Sequence, residues 1–325
     1  MPSHTHAALA LIVVSLFVGC RDRGAQAEPA EEATRPTARA EAPAPQAPPE
    51  EPAPRRAEVN RARYAWLADW EGELPEMTTL EARFEPPRGF TRVAQPEASF
   101  GAWLRGLPVR LDRAEVRSYR GDALSSPSEA VVVLDVGERD LQQCADSALR
   151  LHAEYLWASD RADEAKYHFT SGDVSSWSKW ARGERFKIEG RRVKPVMGKA
   201  RGRSHAVYRG YLQHLFRYAG TRSLQFDSDP VSAKAHLAAG DFLVQPGGPG
   251  HAVMILDVAA NAAGERVALI GQGFMPAQEF HVVRSGADAA IDGVWFRLPA
   301  PGDPEATIDT PSWRPFRRAE ARRFK

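Results

Sequence analysis

From Asp241 to Pro299 the chain reads as a succession of antiparallel strands. Five short apolar stretches, Asp241-FLVQ, His251 to Ala259, Arg266 to Gly273, Glu279 to Arg284 and Val294 to Pro299, follow one another with turn residues between them. Each is of strand length, and none carries a helical period. The half before them reads differently. Asp140 to Ala158 has apolar residues at Leu141, Cys144, Ala148, Leu151 and Tyr155, in steps of three and four. That spacing predicts an amphipathic helix, with Asp140 as its cap and Gln143 completing a capping box. Ser204 to Ala219 predicts a second helix, stopped by Gly220. Shorter helices are expected at Tyr64–Trp70, after Ser99 and over Val174–Ala181. Ala130–Gly137 is expected as a buried strand, with short strands at 83–94 and 167–170 and a basic loop at 182–203. The fold class expected is therefore α+β, a helix-rich N-terminal half packed on an antiparallel β-meander.

The amino end is set apart by composition. Residues 7–19 form an apolar run of 13, too short to span a bilayer but of signal-peptide length. The run closes on Phe17-Val18-Gly19-Cys20, which resembles a bacterial lipobox, so Cys20 is expected to carry lipid. Residues 21–58 hold eight Pro, eleven Ala and seven Glu, with no aromatic residue and no Val, Ile, Leu or Met. Such a segment has nothing to bury and is expected to be a disordered tether. Three regions result: a lipoprotein-type signal peptide (1–20), a tether (21–58) and one globular domain (59–325). The expected location is the cell envelope, lipid-anchored to a membrane and facing the periplasm or exterior.

Formal charge is +1, from 43 basic and 42 acidic side chains, which excludes a global attraction to nucleic acid. With Cys20 lipidated, Cys144 is the one remaining thiol of two cysteines. Near a helix N-terminus the macrodipole and the free amides favour a thiolate and a developing oxyanion. Gln142 and Gln143 are candidate side-chain donors there. His251 opens an apolar strand after a Pro-Gly-Gly-Pro-Gly turn, where an imidazole can serve as base. Gln272 closes the next strand and can orient it, with His281 as the alternative third member. The competing reading makes Cys144 a small core residue and Gln272 a satisfied buried amide. Glu279 and His281 alternate onto one strand face, but without a second histidine pair no metal site is expected, and no cofactor is expected.

Asp241-Phe-Leu-Val followed by Gly250-His251 is similar to the Gly-Asp…Gly-His block of papain-like cell-wall amidases of the NlpC and CHAP types. That resemblance implies a papain-like arrangement and a Cys144–His251–Gln272 amidase, peptidase or acyl transferase. A longer likeness runs through DLQQCAD (140–146), RLHAEYLW (150–157), FTSG (169–172), YAGTRSL (218–224), GGPGHAV (247–253) and MPAQEFHV (275–282). These phrases resemble the bacterial "domain of unknown function 4846" family, whose members are often secreted or lipoprotein-like.

A non-catalytic alternative rests on other residues. Trp177 and Trp180 stand one helical turn apart and are candidates for stacking on a glycan, against the competing reading of helical aromatics as core. Residues 182–203 carry nine Lys/Arg and two Glu, with Arg191, Arg192 and Lys194 as candidate contacts to an anionic envelope polymer or protein partner. The expected partners are thus a membrane through the lipid anchor, peptidoglycan or another envelope polymer, and no nucleic acid.

Overall fold

Apolar runs that lack strict alternation require a sheet buried on both faces. A computed structural model describes residues 55–325, apart from Arg191 and Ala287, and places such a sheet at the centre. Its ten strands are β1 (Phe90–Arg92), β2 (Ser128–Val131), β3 (Ser228–Pro230), β4 (Phe242–Gln245), β5 (His251–Asn261), β6 (Arg266–Gln272), β7 (His281–Val283), β8 (Ala290–Ile291), β9 (Trp295–Leu298) and β10 (Ala321–Phe324). The order is β3-β10-β4-β5-β6-β7-β2, all pairs antiparallel. The long hairpin β5–β6 forms the middle. On the outer edge of β5, β4 pairs with residues 251–254 and β1 with 259–261. On the outer edge of β6, β7 takes 271–272 and β9 takes 266–269.

Two cores lie on the two faces. Ala252, Met254 and Leu256 of β5 face helices α1 (Cys144–Ala158) and α2 (His205–Leu215), with Leu149, Leu151, Tyr208 and Leu212 in the same core. Val253, Ile255 and Val258 face Leu237, Ile308 and Phe316 on the other side. The change of parity comes from a bulge between Ile255 and Asp257. Asp257 is thereby buried on the helix side, where its carboxylate accepts from Arg92 Nε at 2.8 Å and Arg105 Nε at 2.7 Å.

The expected helix-rich N-terminal half is not found, and the papain-like α+β arrangement expected with it is corrected accordingly. The chain is sheet-rich, and only α1 and α2 exceed six residues among the described helices. Before residue 228 the chain supplies β1 and β2 of the main sheet and further short pairs, such as Met77–Thr79 with Pro108–Arg110. These strands are three or four residues long and mix polar or charged with apolar side chains, so no period marks them. In place of the Tyr64–Trp70 helix stand two 3₁₀ turns, Arg61–Arg63 and Ala65–Leu67. The basic loop is a hairpin, Glu184–Glu189 with Arg192–Met197. Other expectations coincide with the structure: Ser99 Oγ caps the helix Phe100–Arg105, accepting from Ala102 N at 3.1 Å, and Ser204 Oγ caps α2.

Residues 1–54, with Cys20, the signal segment and most of the tether, lie outside the described residues. Arg55 to Ala57 run beside Thr78, whose hydroxyl accepts from Ala57 N at 2.9 Å.

Candidate functional site

The junction between the N-terminus of α1 and the adjoining ends of β5 and β6 gathers the candidate residues. The helix begins later than its apolar period suggests: Gln143 is the N-cap and Cys144 the first helical residue. Asp146, not Gln143, closes the cap, its Oδ2 accepting from Gln143 N at 3.3 Å. Asp140 has another task. Its Oδ1 accepts from Gln143 Nε2 (2.9 Å) and from Ala277 N (2.7 Å), tying the helix entry to the loop between β6 and β7.

Two glycines let these segments meet. A Cβ on Gly273 would stand 2.4 Å from Ser147 Oγ and 3.2 Å from Gln143 O. A Cβ on Gly250 would stand 2.4 Å from Thr221 Oγ1 and 2.7 Å from Gln245 O. Cys144 is 5% exposed, and its thiol donates to Gly250 O at 4.0 Å, immediately before His251. Burial, reinforced by the nearby Asp146, pushes the thiol up to about 11.

His251 is fully buried among Phe274, Trp313 and Phe316. It shares the parity of Val253, so its ring projects from the sheet face opposite the body of α1. The thiol bonds the carbonyl of the turn, and the imidazole bonds Gln272. His251 Nε2 and Gln272 Oε1 are 2.8 Å apart, Gln272 Nε2 and His281 Nε2 are 3.4 Å apart, and His281 Nδ1 and Glu279 O are 3.0 Å apart. The chain has one consistent sense. Glu279 O only accepts, so His281 donates from Nδ1 and accepts at Nε2; Gln272 donates to it and accepts from His251 Nε2. His251 Nδ1 is left with a lone pair and no partner. Both rings are held neutral, lowered by burial to about 4.

Two further buried atoms near the helix start, Asp146 Oδ1 and Ser147 Oγ, also have no partner. Burial raises the Asp146 carboxyl well above the usual range. Orphaned polar atoms are few in native proteins, and three within this one junction mark it out. A cavity of about 220 Å³ reaches Gln272 past Phe274, Met275, Ser126 and Gln278, with no charged side chain in its wall.

The remaining candidates lie elsewhere. Gln142 is buried and committed, its Oε1 accepting from Arg150 Nη1 at 3.1 Å and its Nε2 donating to Asp135 O at 3.2 Å. Trp177 and Trp180 are buried in the helix-side core, so neither offers a face for stacking. Arg192 and Lys194 are on the exposed hairpin, Lys194 paired with Glu189, while Arg191 lies outside the described residues. Glu279 is taken by Arg113 and does not converge with His281. Among the described residues no group of three or more His, Cys, Asp or Glu side chains gathers to hold a metal ion.

Sequence reading missed a second polar network. Arg150, fully buried, donates to Glu154 Oε1 (2.6 Å) and Asp135 Oδ1 (3.0 Å). Arg209 also bonds Asp135. His205 bridges Asp69 Oδ2 and Glu154 Oε2, both at 2.8 Å. The one available signal was the Arg150/Glu154 spacing of four, which on a helix is ordinarily a solvated pair.

The sequence profile of the "domain of unknown function (4846)" family matches residues 80–323. The chain belongs to this DUF4846 family. The match takes in α1, β1 to β9 and most of β10, and so the entire Cys144–His251–Gln272 junction of this DUF4846 domain. No curated protein and no solved structure matches the chain. Among the described residues no helix is long and apolar enough to cross a membrane.

Proposed function

We propose that this DUF4846 protein is a lipid-anchored envelope protein whose body is a Cys–His thiol hydrolase or acyl transferase acting on an amide of cell-wall peptide. The observation that carries this reading is the hydrogen-bond chain from Glu279 O to His251, which leaves Nδ1 as an unpartnered base on the strand whose entry turn touches the Cys144 sulfur. In this reaction the Cys144 thiol leaves Gly250 O and its proton passes to His251 Nδ1, a transfer that requires the thiol and the ring, which project on different sides of the β5 entry, to be brought together around Gly250. The sulfur then bonds to the substrate carbonyl carbon, and the carbonyl electron pair moves to oxygen, facing the free amides of the first helical turn. Collapse breaks the C–N bond as the imidazolium gives its proton to the leaving amine. Water, or an acceptor amine, then cleaves the thioester with the same base. Gln272 orients the imidazole, while Gln143, whose Nε2 already donates to Asp140, leaves the backbone amides as the oxyanion donors. Lipid on Cys20, the 21–58 tether and the envelope location belong to the same proposal and rest on the amino-end sequence.

Thiol alkylation tests the chemistry. In a Cys20→Ser background, Cys144 is the only thiol. Iodoacetamide should label it faster at neutral pH than an inert buried thiol, and His251→Ala should slow labelling about tenfold or more. Slow labelling that is equal in both proteins refutes the nucleophile. Palmitate incorporation lost in Cys20→Ala supports the anchor; equal incorporation ends that part.

A further inference from the structure

A cleft of about 460 Å³ is walled by charged groups of the Arg150–His205 network, Asp69, Asp135, His205 and Arg209. The smaller cavity at the junction, about 220 Å³, has none in its wall. It is lined instead by two side-chain amides, Gln272 and Gln278, with the hydroxyls of Ser125 and Ser126 and the side chains of Phe274 and Met275. It lies on the imidazole side of the sheet. Gln272 shares the parity of Ile270 and projects with His251, and Phe274 meets the His251 ring edge-on with centroids 4.8 Å apart.

Each amide has one group left over. Gln278 is 2% exposed, and its Nε2 donates to Ser126 Oγ at 3.1 Å, while its Oε1 accepts nothing among the described residues. Gln272 Nε2 carries two hydrogens; one faces His281 Nε2 at 3.4 Å, and the other has no partner among the described residues. A buried carbonyl without a donor is costly, so a group that bonds it gains more than it would in water. Together the two residues offer one acceptor and one donor, with no net charge. An amide answers both at once: its carbonyl accepts from Gln272 Nε2 and its N–H donates to Gln278 Oε1. A carboxylate would set an oxygen against Gln278 Oε1, and an ammonium would set a proton against the Gln272 N–H. Neither ion would find a counter-charge to offset its desolvation. The cavity is smaller than the about 300–1,000 Å³ of a drug-sized site, which suits one or two small residues.

We infer that this cavity is a subsite for an uncharged amide-bearing group, one or two small residues of a peptide, read by Gln272 and Gln278. The assignment of that group to the substrate rests on the thiol hydrolase reading; the binding itself does not. Gln272 joins the two, since the amide that reads the ligand also bonds His251 Nε2.

The test uses the whole protein carrying Cys144→Ala, so that no turnover intervenes, and calorimetry with three probes: N-acetylalanine methylamide (neutral), N-acetylalanine (anionic) and alanine methylamide (cationic). The neutral probe should bind, and each charged one should bind about tenfold or more weakly. Gln278→Leu should weaken the neutral probe about tenfold. Ser125→Trp, at an exposed position of the wall, fills the cavity without touching the core and should abolish binding. The imidazole nitrogen resonances of His251 should shift when the neutral probe binds. No binding of the neutral amide, equal binding of the charged probes, binding indifferent to both variants, or unmoved His251 resonances would each overturn the inference. Fast, His251-dependent labelling of Cys144 without amide binding sinks the subsite alone; slow labelling with the amide still bound sinks the hydrolase and leaves the subsite standing.

Discussion

Two buried histidine networks flank helix α1, and they are built on opposite principles. His251 sits in a chain of neutral groups, bonded at Nε2 to Gln272 and open at Nδ1. His205 sits in a chain of charges, with a carboxylate on each nitrogen. Burial, with His281 nearby, lowers His251 to about 4 against the hydrogen bond of Gln272. Burial also opposes protonation of His205, but the hydrogen bond and charge of Glu154 outweigh it and the value is raised. The neutral network leaves a base available. The charged one uses up both nitrogens and leaves a wall. Proximity to a cleft therefore says less about catalysis than which ring nitrogen remains unbonded.

The contrast can be broken most severely at Arg150. Arg150→Met strands Glu154 and Asp135 and should cost about 3–5 kcal/mol, read as a lowered urea midpoint. Gly273→Ala attacks the other network sterically, driving a methyl into Ser147 and Gln143 O, for about 1–3 kcal/mol. Gln272→Leu leaves both imidazoles without their shared partner and should cost about 1–3 kcal/mol, less than Arg150→Met. Equal losses for these two would mean that the charged network is no more tightly coupled than the neutral one. Proton linkage sharpens the comparison further. His251 and His281 are lowered, so the unfolded chain binds more protons below about 6.5. Their contribution is full above 6.5 and is lost as pH falls through about 4. His205 is raised, so its contribution is full below the ordinary histidine value and is lost as pH rises through its folded value. Urea midpoints from pH 4 to 8 for His251→Gln and His205→Gln should therefore diverge from wild type at opposite ends. Smallest of all, Lys194→Ala on the exposed hairpin should leave the melting temperature unchanged.

How much was legible differs by element. The strands from Phe242 onward could be read because each is an apolar run between turn residues. The three-residue strands Met77–Thr79 and Phe90–Arg92 could not, because they hold their places by pairing with distant partners rather than by a pattern of their own. At the candidate site, the turn before His251 singled out that residue and the end of a strand singled out Gln272; their 2.8 Å hydrogen bond follows from β5–β6 pairing. Trp177 and Trp180 show the converse, since aromatic spacing on a short helix does not say which side faces water.

From the sequence alone follow the composition break near residue 58, the antiparallel run from Asp241, the helix carrying Cys144 and the family. Only the tertiary structure decided that the first half contributes strands, that Cys144 begins its helix, that Gln142 serves Arg150, and that two histidines of one chain receive opposite electrostatic environments. The physical reason is range. Apolar periodicity and turn chemistry act between residues a few positions apart, whereas strand pairing, desolvation and ion pairing depend on which distant groups share a buried space.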